Sequence, residues 1–120
     1  MILIIGGRAQ GKSAYLINNL HYCEDDIADA VLDKRPALNH LHKLVAASQL
    51  SQDELISLLS NKEVIVCDEL GCGPVPMEKA SRDLRERVGN ICQVLAAKAD
   101  TVIRIYCGLP QAIKGELPCK

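Results

Sequence analysis

Gly6, Gly11, Lys12 and Ser13 stand at the spacing G-x-x-x-x-G-K-S, a full match to the phosphate-binding loop pattern. Each residue type has a physical task in that chemistry. The glycines let the backbone turn tightly and close on phosphate oxygens without an intervening Cβ. Backbone amides of the loop then supply oriented donors to the anion. Lys12 is expected to reach the β- and γ-phosphates, and the Ser13 hydroxyl to join a Mg²⁺ shell. The expected nucleotide-binding segment is therefore Gly6, Gly7, Arg8, Ala9, Gln10, Gly11, Lys12 and Ser13, with ATP or GTP plus Mg²⁺ as its ligands. Without ligand the lysine is expected to be solvated.

Phosphoryl chemistry also needs carboxylates facing the lysine, and the chain offers them at Asp68-Glu69, directly after the apolar run Glu63-Val64-Ile65-Val66-Cys67. One carboxylate of such a pair holds Mg²⁺, and another orients or deprotonates the nucleophile. Asp68, at the strand end, is assigned with Ser13 to the metal. Glu69 is assigned to the acceptor. Taken alone, an acidic strand end reads as a solvated terminus; the loop is what turns it into a site.

These residues require a strand before the loop, a helix after it, and a parallel strand alongside. Met1-Ile2-Leu3-Ile4-Ile5 supplies the first strand, and Ser13 to Tyr22 is compatible with a helix. Ile27 to Leu32 reads as a weak edge strand. Apolar residues at Leu38, Leu41, Leu44, Val45 and Leu50 recur near helical spacing. Ser51 with Glu54 forms a capping-box pattern that opens a further helix, ending at Asn61-Lys62. After the strand Glu63–Cys67 comes a loop, Gly71-Cys72-Gly73-Pro74-Val75-Pro76. A long helix from about Glu78 to Ala99 follows, with Leu84, Val88, Ile91, Cys92, Leu95 and Ala99 as its inward stripe. Thr101 to Cys107 is a third strong strand, broken by Gly108-Leu109-Pro110 ahead of a short polar tail. Strands alternating with helices predict one α/β domain over residues 1–120, a P-loop NTPase-like three-layer sandwich with a mainly parallel sheet. Ligands of such sheets sit at the carboxyl ends of the strands.

Composition narrows the function class. The net charge of −1 provides no global basic field for nucleic acid or an anionic membrane. Tyr15, Tyr22 and Tyr106 are the only aromatic residues apart from histidines, which argues against base stacking as a binding mode. No apolar run approaches the roughly 18 residues of a membrane span. No basic region precedes the first strand, so the chain is not expected to carry a signal peptide, and a cytoplasmic location is expected.

Six cysteines form no C-x-x-C pair and are expected to serve mostly as small buried apolar residues. A zinc site from Cys67, Cys72 and a histidine is the rival reading. His40 and His42 lie two apart on an expected helix, so they face different sides and make a poor metal pair. Arg82, Arg85 and Arg87 suit a solvated helix face better than a phosphate clamp.

The segment CDELGCGPVPMEKASRDLRERVGNICQVLAAKAD, running on to VIRIYCGLPQAIK, resembles the C-terminal half of the adenosylcobinamide kinase / adenosylcobinamide-phosphate guanylyltransferase family. The likeness rests on Glu69, Gly71, Gly73, Val75, Pro76, Arg82, Arg85, Gly89, Gln93, Ala96, Ala99, Asp100 and Val102, then Gly108, Pro110 and Lys114. GGRAQGKS resembles that family's phosphate loop. The resemblance implies cobalamin biosynthesis, a cobinamide-like acceptor and a homo-oligomer. Family members are about half as long again. They carry a His-Arg-x-x-Arg-Pro signature with the guanylylated histidine, and an Asp-Cys-Leu-Thr-Leu-Trp strand end. Here only Arg35-Pro36 survives, with no histidine upstream at that spacing. Guanylyl transfer is therefore not expected. The expected function is a kinase (phosphotransferase) acting on a hydroxyl; a non-catalytic, nucleotide-dependent regulatory module is the alternative.

Overall fold

Strands covered on both faces must be apolar almost throughout, and the three apolar runs of this chain lie side by side in the middle of one sheet. The structure, a computed structural model, describes residues 1–7, 11–68 and 79–118. In chain order its elements are β1 (Ile2–Gly6), α1 (Lys12–Asn18), β2 (Ile27–Asp29), β3 (Ala37–Asn39), α2 (Leu41–Ala47), α3 (Gln52–Leu59), β4 (Val64–Asp68), α4 (Lys79–Lys98), β5 (Thr101–Tyr106) and β6 (Leu109–Lys114). The sheet order is β2-β3-β4-β1-β5-β6, with the first five strands parallel and β6 antiparallel to β5.

Side chains alternate across this sheet and build a core on each side. Leu3, Ile65, Cys67 and Val102 face α2, α3 and α4, where they pack with Leu41, Val45, Leu55, Leu59, Val88, Ile91 and Leu95. Ile4, Val64, Val66, Ile103 and Ile105 face the other way, onto Tyr15 and Leu16 of α1. The result is the expected three-layer α/β sandwich with a mainly parallel central sheet. Burying each large aliphatic side chain contributes roughly 1.5–3 kcal/mol, and both sides of the sheet are rich in them.

The two layers also define where a ligand fits. The chain leaves β1 for α1 on one face and leaves β4 toward α4 on the opposite face. Adjacent strands whose outgoing connections diverge open a crevice at their carboxyl ends.

Three local expectations are corrected. The first helix stops at Asn18 rather than Tyr22: His21 takes a left-handed conformation (φ 61°), and the Tyr22 amide turns back to the Leu16 carbonyl at 3.1 Å. Leu38 belongs to a strand, β3, and the helix begins only at Leu41. Gly108-Leu109-Pro110 does not end the sheet: Cys107 (φ 52°) and Gly108 (φ 76°) form a tight turn into β6, an edge strand where Pro110 is tolerated.

Other expectations are met. Ser51 Oγ accepts the Glu54 amide at 3.2 Å, as the capping pattern requires. The inward stripe of α4 is the one anticipated, with Val88, Ile91, Leu95 and Ala99 buried and Leu84 and Cys92 partly so.

Candidate active site

Gly6 ends β1 under a close ceiling. A Cβ there would meet the Ile105 carbonyl oxygen at 2.6 Å, so only glycine lets β1 and β5 approach this closely at the loop's start. Gly11 reaches α1 in a left-handed conformation (φ 94°), where a side chain would be strained. The loop thus demands glycine at both ends for separate reasons. Arg8, Ala9 and Gln10 lie outside the described residues, as do Glu69 and the Gly71–Pro76 loop.

Lys12, one residue beyond Gly11, is not solvated. Its residue is 7% exposed, and the ammonium donates to the carbonyls of Gly6 (3.1 Å) and Gly7 (2.6 Å). It also pairs with Asp68 Oδ1 at 2.8 Å. The expectation of a solvated lysine is overturned because strand register brings a carboxylate to it: Gly6 and Asp68 are paired positions of β1 and β4. Ser13 is exposed, and its Oγ accepts from Asn39 Nδ2 at 3.1 Å. Lys12, Ser13 and Asp68 are therefore brought together across the crevice between β1 and β4.

Asp68 has a second neighbour that the sequence did not reveal. His42, in the first turn of α2, places Nε2 3.5 Å from Asp68 Oδ2, and its Nδ1 accepts the Asp68 amide at 3.5 Å. Burial pushes the His42 pKa down; the Asp68 carboxylate opposes this, while His40, Lys43 and Lys12 reinforce it. His40 stands edge-on to His42, with ring centroids 5.7 Å apart at 81°. Its Nδ1 bonds Asp29 Oδ1, at the end of β2. The two histidines thus face one polar cluster, contrary to the expectation of opposite sides. β3 is the element that sequence reasoning missed, and without it neither Asn39 nor His40 could be placed.

Hard oxygen donors suit Mg²⁺. Ser13 Oγ, on the residue after Lys12, and the Asp68 carboxylate, paired with Lys12, are such donors, so the chemistry of the donor set fits that ion. Among the cysteines, burial of the expected kind holds for Cys67 alone of the four described; Cys92 is half-buried, and Cys23 and Cys107 are exposed. The Cys92 sulfur beside it and burial push the Cys67 thiol up, so it stays protonated. Cys72 of the zinc reading lies outside the described residues. Arg82 is exposed, and the half-exposed Arg87 donates to the Leu50 carbonyl (2.6 Å) and the Val45 carbonyl (3.4 Å), tying α4 to the end of α2 and the residues after it. Arg35 binds Asp33 (2.6 and 2.8 Å) and the Ile27 carbonyl (3.1 Å), at the amino end of the sheet and away from the crevice.

The family model for cobinamide kinase / cobinamide phosphate guanyltransferase matches residues 14–113. The chain belongs to that family. The match begins one residue after the phosphate loop, so the loop motif stands as a separate observation. Among solved structures, the flagellar accessory protein FlaH from Methanocaldococcus jannaschii is similar over 95% of this chain and 77% of its own, at 14% identity and a TM-score of 0.45. No curated protein matches the sequence. Among the described residues, no helix is long and apolar enough to cross a membrane.

Proposed function

We propose that this chain binds a nucleoside triphosphate, ATP or GTP, through Gly6–Ser13 and transfers its γ-phosphoryl group to a hydroxyl of a cobinamide-like acceptor. The observation that carries the reading is the Lys12 ammonium, held by loop carbonyls and by Asp68 2.8 Å away. A buried ammonium at the end of a glycine loop is a phosphate receptor already desolvated, so less reorganisation remains when the anion arrives. Family membership favours the nucleotide and names the acceptor class.

In this reading the phosphate oxygens take the place of the Gly6 and Gly7 carbonyls around Lys12, which then neutralises charge developing on the β–γ bridge. Mg²⁺ would be held by Ser13 and Asp68 and would add positive charge at the same phosphates. Asn39 fixes the Ser13 hydroxyl by donating to it, which leaves the hydroxyl's own proton and a lone pair directed elsewhere. Glu69 is assigned to orient the acceptor. The subunits assemble as a homo-oligomer.

Calorimetric titration of ATP and GTP, with and without Mg²⁺, tests the first half; turnover of the tighter nucleotide with cobinamide tests the second. Tight Mg²⁺-dependent binding with phosphorylated cobinamide is the expected result. Binding without turnover would favour the regulatory module. No binding would overturn the reading altogether.

A further inference from the structure

His40 holds a conformation that needs a reason. It opens α2 with φ 59° and ψ 51°, left-handed values that cost a non-glycine residue of order 1–3 kcal/mol. The usual return for a polar residue at this position is a side-chain cap, yet the His40 side chain makes no cap bond to the helix. The imidazole instead turns to Asp29, whose carboxylate takes Nδ1. Two devices fix it there. The His40 amide donates to Asn39 Oδ1 at 2.9 Å, and the ring rests edge-on against His42.

Asp29 and Asn39 are paired positions of β2 and β3, so sheet register itself delivers the carboxylate to the ring. With Nδ1–H donated to a carboxylate, the other nitrogen, Nε2, carries the lone pair. Among the described residues nothing bonds Nε2, and the side chain is 33% exposed. The place of this pair is equally specific. The residue before His40 contacts Ser13, and the ring beside it contacts Asp68. The dyad is therefore one neighbour removed from each group assigned to Mg²⁺, through Asn39 and through His42, on the side toward β2.

We propose that His40, oriented by Asp29, is the general base that takes the proton from the acceptor hydroxyl. This inference rests on the phosphoryl-transfer reading above. The acceptor oxygen forms a bond to Pγ, the bond from Pγ to the β–γ bridging oxygen breaks, and its electron pair leaves with the nucleoside diphosphate. The hydroxyl proton passes to His40 Nε2 and then to solvent. Asp29 is a positioning residue that holds the tautomer and steadies the imidazolium. Where water is the acceptor, the same steps release inorganic phosphate.

The test uses Mg²⁺-dependent hydrolysis of ATP and GTP by the full chain, with water as acceptor, and nucleotide titration as its partner measurement. His40→Gly accepts the left-handed backbone without strain and leaves a gap the size of the ring. It should bind nucleotide within about twofold of the parent yet lose turnover by roughly 10²–10⁴-fold. Added imidazole should restore part of that turnover. Asp29→Asn should lower kcat with KM unchanged, and Asp29→Glu should recover it in part. His40→Gly hydrolysing as fast as the parent, or Glu69→Gln abolishing turnover that His40→Gly retains, would overturn the base assignment while the nucleotide site stands. A parent that binds nucleotide without hydrolysing it would also overturn the dyad. Failure of the parent to bind nucleotide would overturn the underlying reading instead.

Discussion

Lys12, at the start of α1, and Asp68, at the end of β4, form an ion pair 2.8 Å long although they lie 56 residues apart in the chain. The pair is what converts a local motif into a site. It also sets a competition, because the carboxylate that steadies Lys12 in the free protein is the one assigned to metal when nucleotide arrives.

Lys12→Ala should weaken nucleotide binding by roughly 1.5–3 kcal/mol, about 10- to 150-fold, through loss of a charge-assisted contact. It should not leave stability untouched. The side chains of Lys12 and Asp68 are 8% and 20% exposed, so the variant strands a largely desolvated carboxylate, at about 1–3 kcal/mol. Calorimetry and urea titration of the same variant check the two halves. Equal nucleotide affinity in mutant and parent would remove the phosphate-site assignment.

Asp68→Asn keeps the shape and removes the charge. Binding in the presence of Mg²⁺ should fall by at least about tenfold, because an anionic oxygen ligand is lost. Binding in EDTA should hold or rise, since Lys12 is released from its carboxylate partner. Equal losses with and without Mg²⁺ would move the metal role to Glu69.

His42 predicts an acid limit. Burial lowers its pKa from the ordinary 6.5, so the unfolded chain takes up a proton there that the folded chain resists. Between the lowered folded value and 6.5 the unfolded state binds more protons, so stability is complete above that window and declines as pH falls through it. Urea midpoints measured above and below the window should differ in the parent and differ less in His42→Gln. A parent midpoint independent of pH across the window would contradict the burial of this ring.

No covalent guanylyl-enzyme should form. Arg35-Pro36, the surviving fragment of the family signature, sits at the amino end of the sheet with its guanidinium occupied by Asp33. The histidines at the carboxyl end, His40 and His42, follow it in the chain. Incubation with GTP labelled at the α-phosphate, then intact-mass analysis, should return unmodified protein. An acid-labile adduct of one GMP would overturn this prediction and restore the two-step activity as the better reading.

Much of this was readable from the chain because it is local. The glycine loop, the apolar strands β1, β4 and β5, and the stripe of α4 declare themselves within windows of five to twenty residues. β3 does not: Ala37-Leu38-Asn39 is three residues long, with no alternation and one strong strand former at most. It is held by its neighbours, Ala37 and Leu38 pairing with Val64 and Ile65, and Asn39 with Asp29. Asn39, His40 and Asp29 became visible as a group only through that register. β6 was hidden by Pro110, which reads as a breaker although the outer edge of a sheet accepts it. The burial of Lys12 was hidden for the same reason as β3, since it depends on the distant Asp68.

The left-handed residues Gly11, Ala30, His40, Cys107 and Gly108 follow β1, β2, β3 and β5 at the edge that carries the site. Among them the non-glycines Ala30, His40 and Cys107 hold that backbone at a cost in stability. Ala30 (φ 58°) gives up about 1 kcal/mol to hold a backbone that glycine would adopt freely. Ala30→Gly would relieve that strain but would also remove a methyl packed against the core and loosen the unfolded chain, so the net change in stability is small. The identical relief at His40 would take the imidazole with it. Selection for turnover would therefore keep the strained His40, while alanine and glycine at position 30 lie close in stability.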